Sequence, residues 1–115
     1  MYRYNAKLDR VVDGDTVDAM VDLGFDIWKK VRIRMMGIDA PESRTRDLEE
    51  KKLGLAAKAR LNELIESNDF LFILQSHGVG KYGRCLGEIF INEETSINQT
   101  LINEGHATAY YGGTR

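Results

Sequence analysis

Polar and apolar residues alternate along roughly the first forty residues of the chain, a pattern typical of β-strands. Residues 2–12 are β-prone, and in residues 16–23 every second side chain is apolar. The turn sequence Asp-Gly-Asp at 13–15 separates these runs, so we expect two antiparallel strands to meet there. A second turn at 24–26 leads into a third strand over 27–38. The pattern therefore predicts a three-stranded meander.

The pattern becomes helical beyond a polar loop at 39–46. Residues 48–67 predict a helix whose outer face is rich in lysine and glutamate. The short apolar runs 69–75 and 84–91 predict the fourth and fifth strands, joined by a glycine-rich connection at 76–83. The predicted buried face of the helix contains Leu53, Ala57, Leu61, Leu64 and Ile65.

A second helix is predicted to begin at Ser96, which forms a capping box with Gln99, and to end at Gly105. The tail, residues 106–115, is predicted to have no regular structure. Five strands with a helix between the third and the fourth follow the element order of an OB-fold. We therefore predict one α+β domain over residues 1–115, a five-stranded Greek-key β-barrel with two helices.

Composition narrows the class of protein. Of the 115 residues, 43% are hydrophobic and 30% are charged, as in ordinary soluble domains. The single cysteine, Cys85, excludes an intramolecular disulfide. A net charge of −2 argues mildly against a nucleic-acid partner, because such partners usually bind basic proteins. Acidic residues concentrate at Asp47, Glu49, Glu50 and Glu63, which we expect to lie away from any binding face.

The first ten residues carry four charges and no apolar run, so they do not resemble a signal peptide. The longest apolar stretch, residues 70–74, is too short to cross a membrane. We expect a cytoplasmic protein with no membrane partner. Secretion stays open as an alternative, because a signal peptide removed beforehand would leave the same sequence.

Two carboxylates and a hydroxyl lie within four residues at Asp13, Asp15 and Thr16. A hairpin turn explains these residue types by itself, since aspartate and glycine are the usual turn residues. The same residues also form an oxygen-rich corner that suits Ca²⁺ or Mg²⁺. Both interpretations stay open from this segment alone.

An arginine and two carboxylates, Arg34, Asp39 and Glu42, lie within nine residues around the end of the third strand. Arginine binds phosphate through two parallel hydrogen bonds, and a glutamate can position or deprotonate a water molecule. The segment therefore suits phosphoryl chemistry. A salt bridge at the strand end is the simpler alternative.

Two further segments suit nucleotide binding. Glycines flank Lys81, Tyr82 and Arg84, and such a loop can approach a phosphate closely. An exposed hairpin tip with solubilising charges would have the same composition. Tyr110 and Tyr111 could stack on nucleotide bases, or could pack on the domain near the chain end.

Taken in order, three segments resemble the staphylococcal nuclease (thermonuclease) family. They are Val-Asp-Gly-Asp-Thr at 12–16, Arg-x4-Asp-x-Pro-Glu at 34–42 and Lys-Tyr-Gly-Arg at 81–84. The similarity runs from about Leu8 to Tyr110, with a helix between the second and third segments. Parts of the chain are also similar to phage-encoded members.

The resemblance implies a calcium-dependent endonuclease that hydrolyses phosphodiester bonds of DNA and RNA and leaves 3′-phosphate ends. By the same resemblance, Asp15, Asp39 and the backbone carbonyl of Ala40 would bind Ca²⁺. Asp13 and Thr16 would not bind the ion directly but would hold its ligands in place. The family usually has threonine at the position of Ala40, and a carbonyl ligand survives this difference.

The resemblance also assigns the remaining site residues. Glu42 would act on the attacking water as general base, and Arg34 and Arg84 would stabilise charge in the transition state. The nucleotide-binding positions of the family correspond to Lys81, Tyr82 and, with a one-residue gap, Tyr110.

Two features of the chain differ from the family pattern. The family's C-terminal helix has no counterpart before Arg115, and the acidic balance predicts weaker attraction of the substrate. We expect a monomer, with a dimer as the alternative. The alternative function is a non-catalytic OB-fold module that binds nucleic acid or protein.

Overall fold

The computed structural model describes residues 2–79 and 83–109, and within these ranges five strands close into a barrel in the order β1-β2-β3-β6-β5. Strands β3 and β6 pair in parallel, and the other neighbours pair antiparallel. This architecture confirms the predicted α+β OB-fold barrel with two helices. The elements are β1 (Tyr2–Asp13), β2 (Thr16–Asp22), β3 (Trp28–Met35), β4 (Ile38–Asp39), α1 (Leu48–Glu66), β5 (Leu71–Val79), β6 (Cys85–Phe90), α2 (Ile97–Asn103) and β7 (Thr108–Ala109).

The predicted meander is present as β1, β2 and β3. Asp13 pairs with Thr16 across a two-residue turn, which places the Gly14-Asp15 corner at one end of the barrel. Val17 and Ile33 pair across β2 and β3, and both are fully buried in the core. Because side chains alternate along a strand, the residues between these core positions face the outside of the barrel.

The predicted third strand is divided in two. β3 ends at Met35, Gly37 has a positive φ of 82°, and the chain continues as the short strand β4. β4 pairs antiparallel with β7, with Asp39 opposite Thr108. The prediction that the tail has no regular structure is therefore wrong for residues 108–109. A pairing between segments this far apart satisfies backbone hydrogen-bonding groups and leaves no local trace in the sequence.

The first helix was predicted correctly, but its buried face was not. Asp47 caps α1, since its side chain accepts hydrogen bonds from the backbone N–H groups of Glu49 and Glu50. Leu53 is 60% exposed, so its predicted place in the core is wrong. Gly54 lies on the buried face instead, one residue further on. The buried residues of α1 are Gly54, Ala57, Leu61 and Ile65.

The second helix begins at the predicted cap. The Ser96 hydroxyl accepts a hydrogen bond from the backbone N–H of Gln99 at 3.2 Å. The Gln99 side chain donates to Asn103, so the second half of the predicted capping box is replaced by a contact along the helix. Gly105, with a φ of 80°, follows the helix as expected. Neither of the helices found in the described residues is long and apolar enough to span a membrane.

Candidate active site

One cleft of about 790 Å³ collects the chemistry-bearing residues of the first two motifs and one residue of the third. It lies where the β1–β2 turn, the end of β3, the loop after β4 and the segment before β6 meet. The predicted catalytic, metal-binding and supporting residues that line it are Asp13, Asp15, Thr16, Arg34, Asp39, Ala40, Glu42 and Arg84.

Asp15 is a buried carboxylate at the base of this cleft. Its Oδ2 atom accepts a hydrogen bond from the backbone N–H of Ala40 at 2.9 Å, and Oδ1 accepts one from the Thr16 hydroxyl at 3.0 Å. These contacts tie the β1–β2 turn to the loop that follows β4. Each carboxylate oxygen has a further lone pair for another ligand.

Arg34 lies beside two carboxylates of the cleft. Its Nη2 atom is 3.5 Å from Asp15 Oδ2 and 3.7 Å from Asp39 Oδ1. Its Nη1 atom donates to the backbone carbonyls of Met35 and Ile38 at 2.7 and 3.0 Å. The backbone thus fixes the orientation of the guanidinium group, and a fixed guanidinium group can bind phosphate with little reorganisation.

The loop that carries Glu42 is anchored to the β1–β2 turn. The buried Ser43 donates hydrogen bonds to Asp13 Oδ1 from both its backbone N–H, at 3.2 Å, and its hydroxyl. Asp13 therefore holds the loop in place. Glu42 itself is exposed at the rim of the cleft, where its carboxylate has access to water.

The acidic first turn of α1 forms one wall of the cleft. Asp47, Glu49 and Glu50 line it, and Glu50 accepts a hydrogen bond from the backbone N–H of Glu42 at 3.3 Å. The expectation that these acidic residues lie away from the site is wrong, because α1 begins directly after the site loop. Glu63, nearly four turns further along the helix, does not line the cleft and pairs with Arg60.

The opposite wall includes residues that sequence reasoning did not single out. Residues 105–108 line the cleft, and the Thr108 hydroxyl donates to the backbone carbonyl of Asp39 at 3.4 Å. This contact follows from the β4–β7 pairing and supports the end of β4. Only the tertiary fold brings this segment to the site.

Arg84 is half-buried and lines the cleft directly before β6 begins. Its position follows from the parallel pairing of Cys85 with Ile33, which aligns the start of β6 with the end of β3. The predicted nucleotide-binding residues Lys81, Tyr82 and Tyr110 lie outside the described residues, as does Tyr111.

The donor chemistry of the cleft suits a hard cation. Asp15 and Asp39 both approach the Arg34 guanidinium group, so their carboxylates face the same space. Among residues 2–79 and 83–109, no three acidic, histidine or cysteine side chains are close enough to hold one ion. The two carboxylates with the Ala40 carbonyl would make a partial, all-oxygen ligand set, which water or phosphate oxygens would have to complete.

Comparisons with known proteins match most of this chain to one family. The family model described as staphylococcal nuclease homologue matches residues 32–115. Protein ParB of Escherichia coli is 32% identical over 110 residues, covering 88% of this chain and 54% of that protein. Micrococcal nuclease of Shigella flexneri is 30% identical over 115 residues, covering 93% of this chain and 59% of the relative. Endonuclease YhcR of Bacillus subtilis (strain 168) is 30% identical over 114 residues, which are 94% of this chain but 9% of that protein. The chain therefore spans little more than half the length of Protein ParB and of the micrococcal nuclease.

Proposed function

Because the chain belongs to the staphylococcal nuclease family, we propose that it is an endonuclease that hydrolyses phosphodiester bonds of DNA and RNA. The observation that carries this proposal is the convergence of Asp15, Arg34, Asp39, Glu42 and Arg84 on one cleft. Relatives whose names include nuclease or endonuclease support the same reaction class.

The two arginines would offset the negative charge that slows this reaction. A phosphodiester is negatively charged and repels nucleophiles, and more charge collects on its oxygens in the transition state. Arg34 and Arg84 line the same cleft, so both can face one bound phosphate. Arg34 is held by backbone carbonyls, and this preorganisation lowers the cost of stabilising the transition state.

Glu42 is the proposed general base. Its carboxylate, at the exposed rim of the cleft, takes a proton from the attacking water as the water oxygen bonds to phosphorus. The bond from phosphorus to the 5′ oxygen breaks, and that oxygen takes up a proton from solvent. The products are then a 3′-phosphate and a 5′-hydroxyl.

Calcium is the proposed cofactor, and Asp15, Asp39 and the Ala40 carbonyl would hold it. When bound, it would supply positive charge beside the phosphoryl oxygens. The all-oxygen donor set supports this choice of a hard cation. The hydrogen bonds from Thr16 and Ala40 keep the Asp15 carboxylate in place for that role.

A non-catalytic binding module is the alternative function. Such a module does not need the general base or the paired arginines, yet this chain has Glu42, Arg34 and Arg84 together in the cleft. The presence of the complete set favours catalysis.

The test is cleavage of single-stranded DNA and of RNA by purified protein over a range of pH and Ca²⁺ concentration. We expect cleavage with Ca²⁺, its loss with a chelator, and its return when Ca²⁺ is added back in excess. Analysis of the product ends should find 3′-phosphates. If the protein cleaves neither substrate under all of these conditions, the proposal is contradicted. Metal-independent binding without turnover would favour the alternative.

A further inference from the structure

A second charged cluster lies on the outer wall of the barrel, outside the cleft. Asp18 accepts hydrogen bonds from Arg10 Nε at 3.0 Å, from Arg32 Nε at 2.8 Å and from Arg32 Nη2 at 3.1 Å. We call these three residues the Arg10–Asp18–Arg32 cluster. It joins β1, β2 and β3 through a single carboxylate.

The cluster has an unusual distribution of burial. The Asp18 side chain is 8% exposed, whereas those of Arg10 and Arg32 are 56% and 45% exposed. The hydrogen bond from Arg32, with the further contact from Arg10, lowers the pKa of Asp18 to about 2 against the cost of burial. Asp18 is therefore ionised at neutral pH, and the cluster has a net charge of +1.

Both arginines have donors left for a ligand. Each guanidinium group has five N–H donors, and Asp18 accepts from only three of the ten. Within the part of the chain that the structure describes, neither arginine forms an ion pair with another acidic residue. A carboxylate that fixes two guanidinium groups with their outer edges in solvent is a suitable support for binding an anion.

Asp18 and Arg32 occupy the next outward-facing positions along β2 and β3 beside the cleft. Thr16 pairs with Arg34 across β2 and β3, and Asp18 pairs with Arg32 two residues further along the same strands. Residues two apart on a strand face the same way and are separated by roughly 7 Å. That spacing is close to the one between successive phosphates of an extended single strand.

The charges around the cleft favour this exit over one along the first turn of α1. The wall formed by the first turn of α1 contains Asp47, Glu49 and Glu50, which repel a phosphate backbone. The outer face of β1, β2 and β3 presents Arg10 and Arg32 at its surface. A polyanion that enters the cleft is therefore steered away from the acidic first turn of α1 and across the barrel wall.

We propose that the Arg10–Asp18–Arg32 cluster binds the phosphate next to the scissile one, so that a single-stranded substrate leaves the cleft across β2 and β3. This inference rests on the proposed nuclease function, because it takes the phosphate at Arg34 as its starting point. In this role Arg10 and Arg32 contact the substrate backbone, and Asp18 positions them.

The test compares the binding of a dinucleotide and an octanucleotide of single-stranded DNA in a Glu42→Gln background, where turnover does not interfere. Each phosphate contact contributes about 0.7 to the slope of log affinity against log salt for a single strand. We expect Arg32→Gln to lower the octanucleotide slope by about 0.7. It should also weaken octanucleotide binding relative to dinucleotide binding, by about tenfold at low salt. Arg10→Gln should act in the same direction.

Two further variants separate binding from a structural role. Arg32→Lys keeps the positive charge and should retain the salt slope. Arg60→Gln removes an arginine that pairs with Glu104 and Glu63 away from the cleft, and it should match the background. If the cluster were only a structural salt bridge, Arg32→Gln would lower the melting temperature, and the salt slope of the folded protein would be unchanged.

Unchanged slopes and affinities in both Arg10→Gln and Arg32→Gln would overturn the inference. So would failure of the background protein to bind the octanucleotide at all. Cleavage of the octanucleotide by the wild-type protein with Ca²⁺ is scored separately and tests the nuclease function. If that cleavage fails while the salt slope still depends on Arg32, the cluster stands as a binding site and only the hydrolytic function falls.

Discussion

Gly54 of α1 lies directly against the backbone of Glu42. A Cβ atom at position 54 would lie 2.7 Å from the backbone nitrogen of Ser43 and closer still to the carbonyl oxygen of Glu42. Glycine in the middle of a helix usually destabilises it, so its presence here has a packing reason. The missing side chain lets the loop that carries Glu42 rest on the helix.

Gly54→Ala should therefore reduce activity, although glycine-to-alanine changes in helices usually stabilise by about 0.5–1 kcal/mol. The new methyl group meets backbone atoms, which cannot rotate away as a flexible side chain would. Displacing Glu42 by about 1 Å would lower kcat by up to about 100-fold. Steady-state cleavage rates and thermal unfolding, measured on the same preparation, check this.

Ala59→Gly is the matched control, since Ala59 is exposed on the same helix. It should lower stability by about 1 kcal/mol and leave kcat near the wild-type value. A Gly54→Ala variant that melts at a higher temperature and keeps full activity would show that this contact does not position the loop.

Arg34→Lys and Arg84→Lys should each abolish most turnover and leave the fold intact. Lysine keeps the charge but lacks the planar fork that binds two phosphate oxygens. We expect kcat to fall by about 10²–10³, the effect typical of removing one preorganised transition-state donor. Circular dichroism would verify folding, and Arg46→Lys, in the exposed site loop outside the cleft lining, is the control. Near-normal rates for both variants would contradict the proposed roles.

Asp18 should make the stability of the protein depend on pH in the acid range. Its folded pKa of about 2 lies below its ordinary value of 3.8, so the stabilisation is fully present above pH 4 and is lost as pH falls towards 2. The shift corresponds to at most about 2.4 kcal/mol. The actual contribution is smaller, because Arg10 and Arg32 are half exposed and solvent screens them.

Urea unfolding of the wild type and of Asp18→Asn at several pH values measures this effect. The difference in unfolding free energy should be largest near neutral pH and should shrink between pH 4 and pH 2. A difference that does not change over this interval would mean that the Asp18 carboxylate is not stabilised by the two arginines.

The sequence predicted those parts of the fold that depend on local pattern. The alternation before and after Gly14 predicted β1 and β2, and the cap at Asp47 lies one residue before the predicted start of α1. The buried face of α1 was predicted wrongly because Leu53 is hydrophobic. In the structure Leu53 is exposed, and Gly54 is buried because the backbone of Glu42 lies against it. Contact with a distant loop decided that position, and periodicity does not report such a contact.

The residues of the candidate site also fall into those that the local sequence predicts and those that only the tertiary fold brings together. Asp15, Arg34 and Asp39 were identified because turn and strand-end residues lie close together along the chain. Thr108 was missed because only the β4–β7 pairing brings it to Asp39. The acidic start of α1 was placed wrongly, because the count of charges along a sequence does not show which wall they form.

The most direct measurement is the single-turnover cleavage rate of Glu42→Gln beside that of Glu93→Gln, an exposed glutamate that does not line the cleft. The amide keeps the shape of the side chain but cannot take a proton from water. We expect Glu42→Gln to cleave about 10²–10⁴ times more slowly than the wild type and still to bind the oligonucleotide, with Glu93→Gln unchanged. A Glu42→Gln protein that cleaves at the wild-type rate would contradict the proposed mechanism.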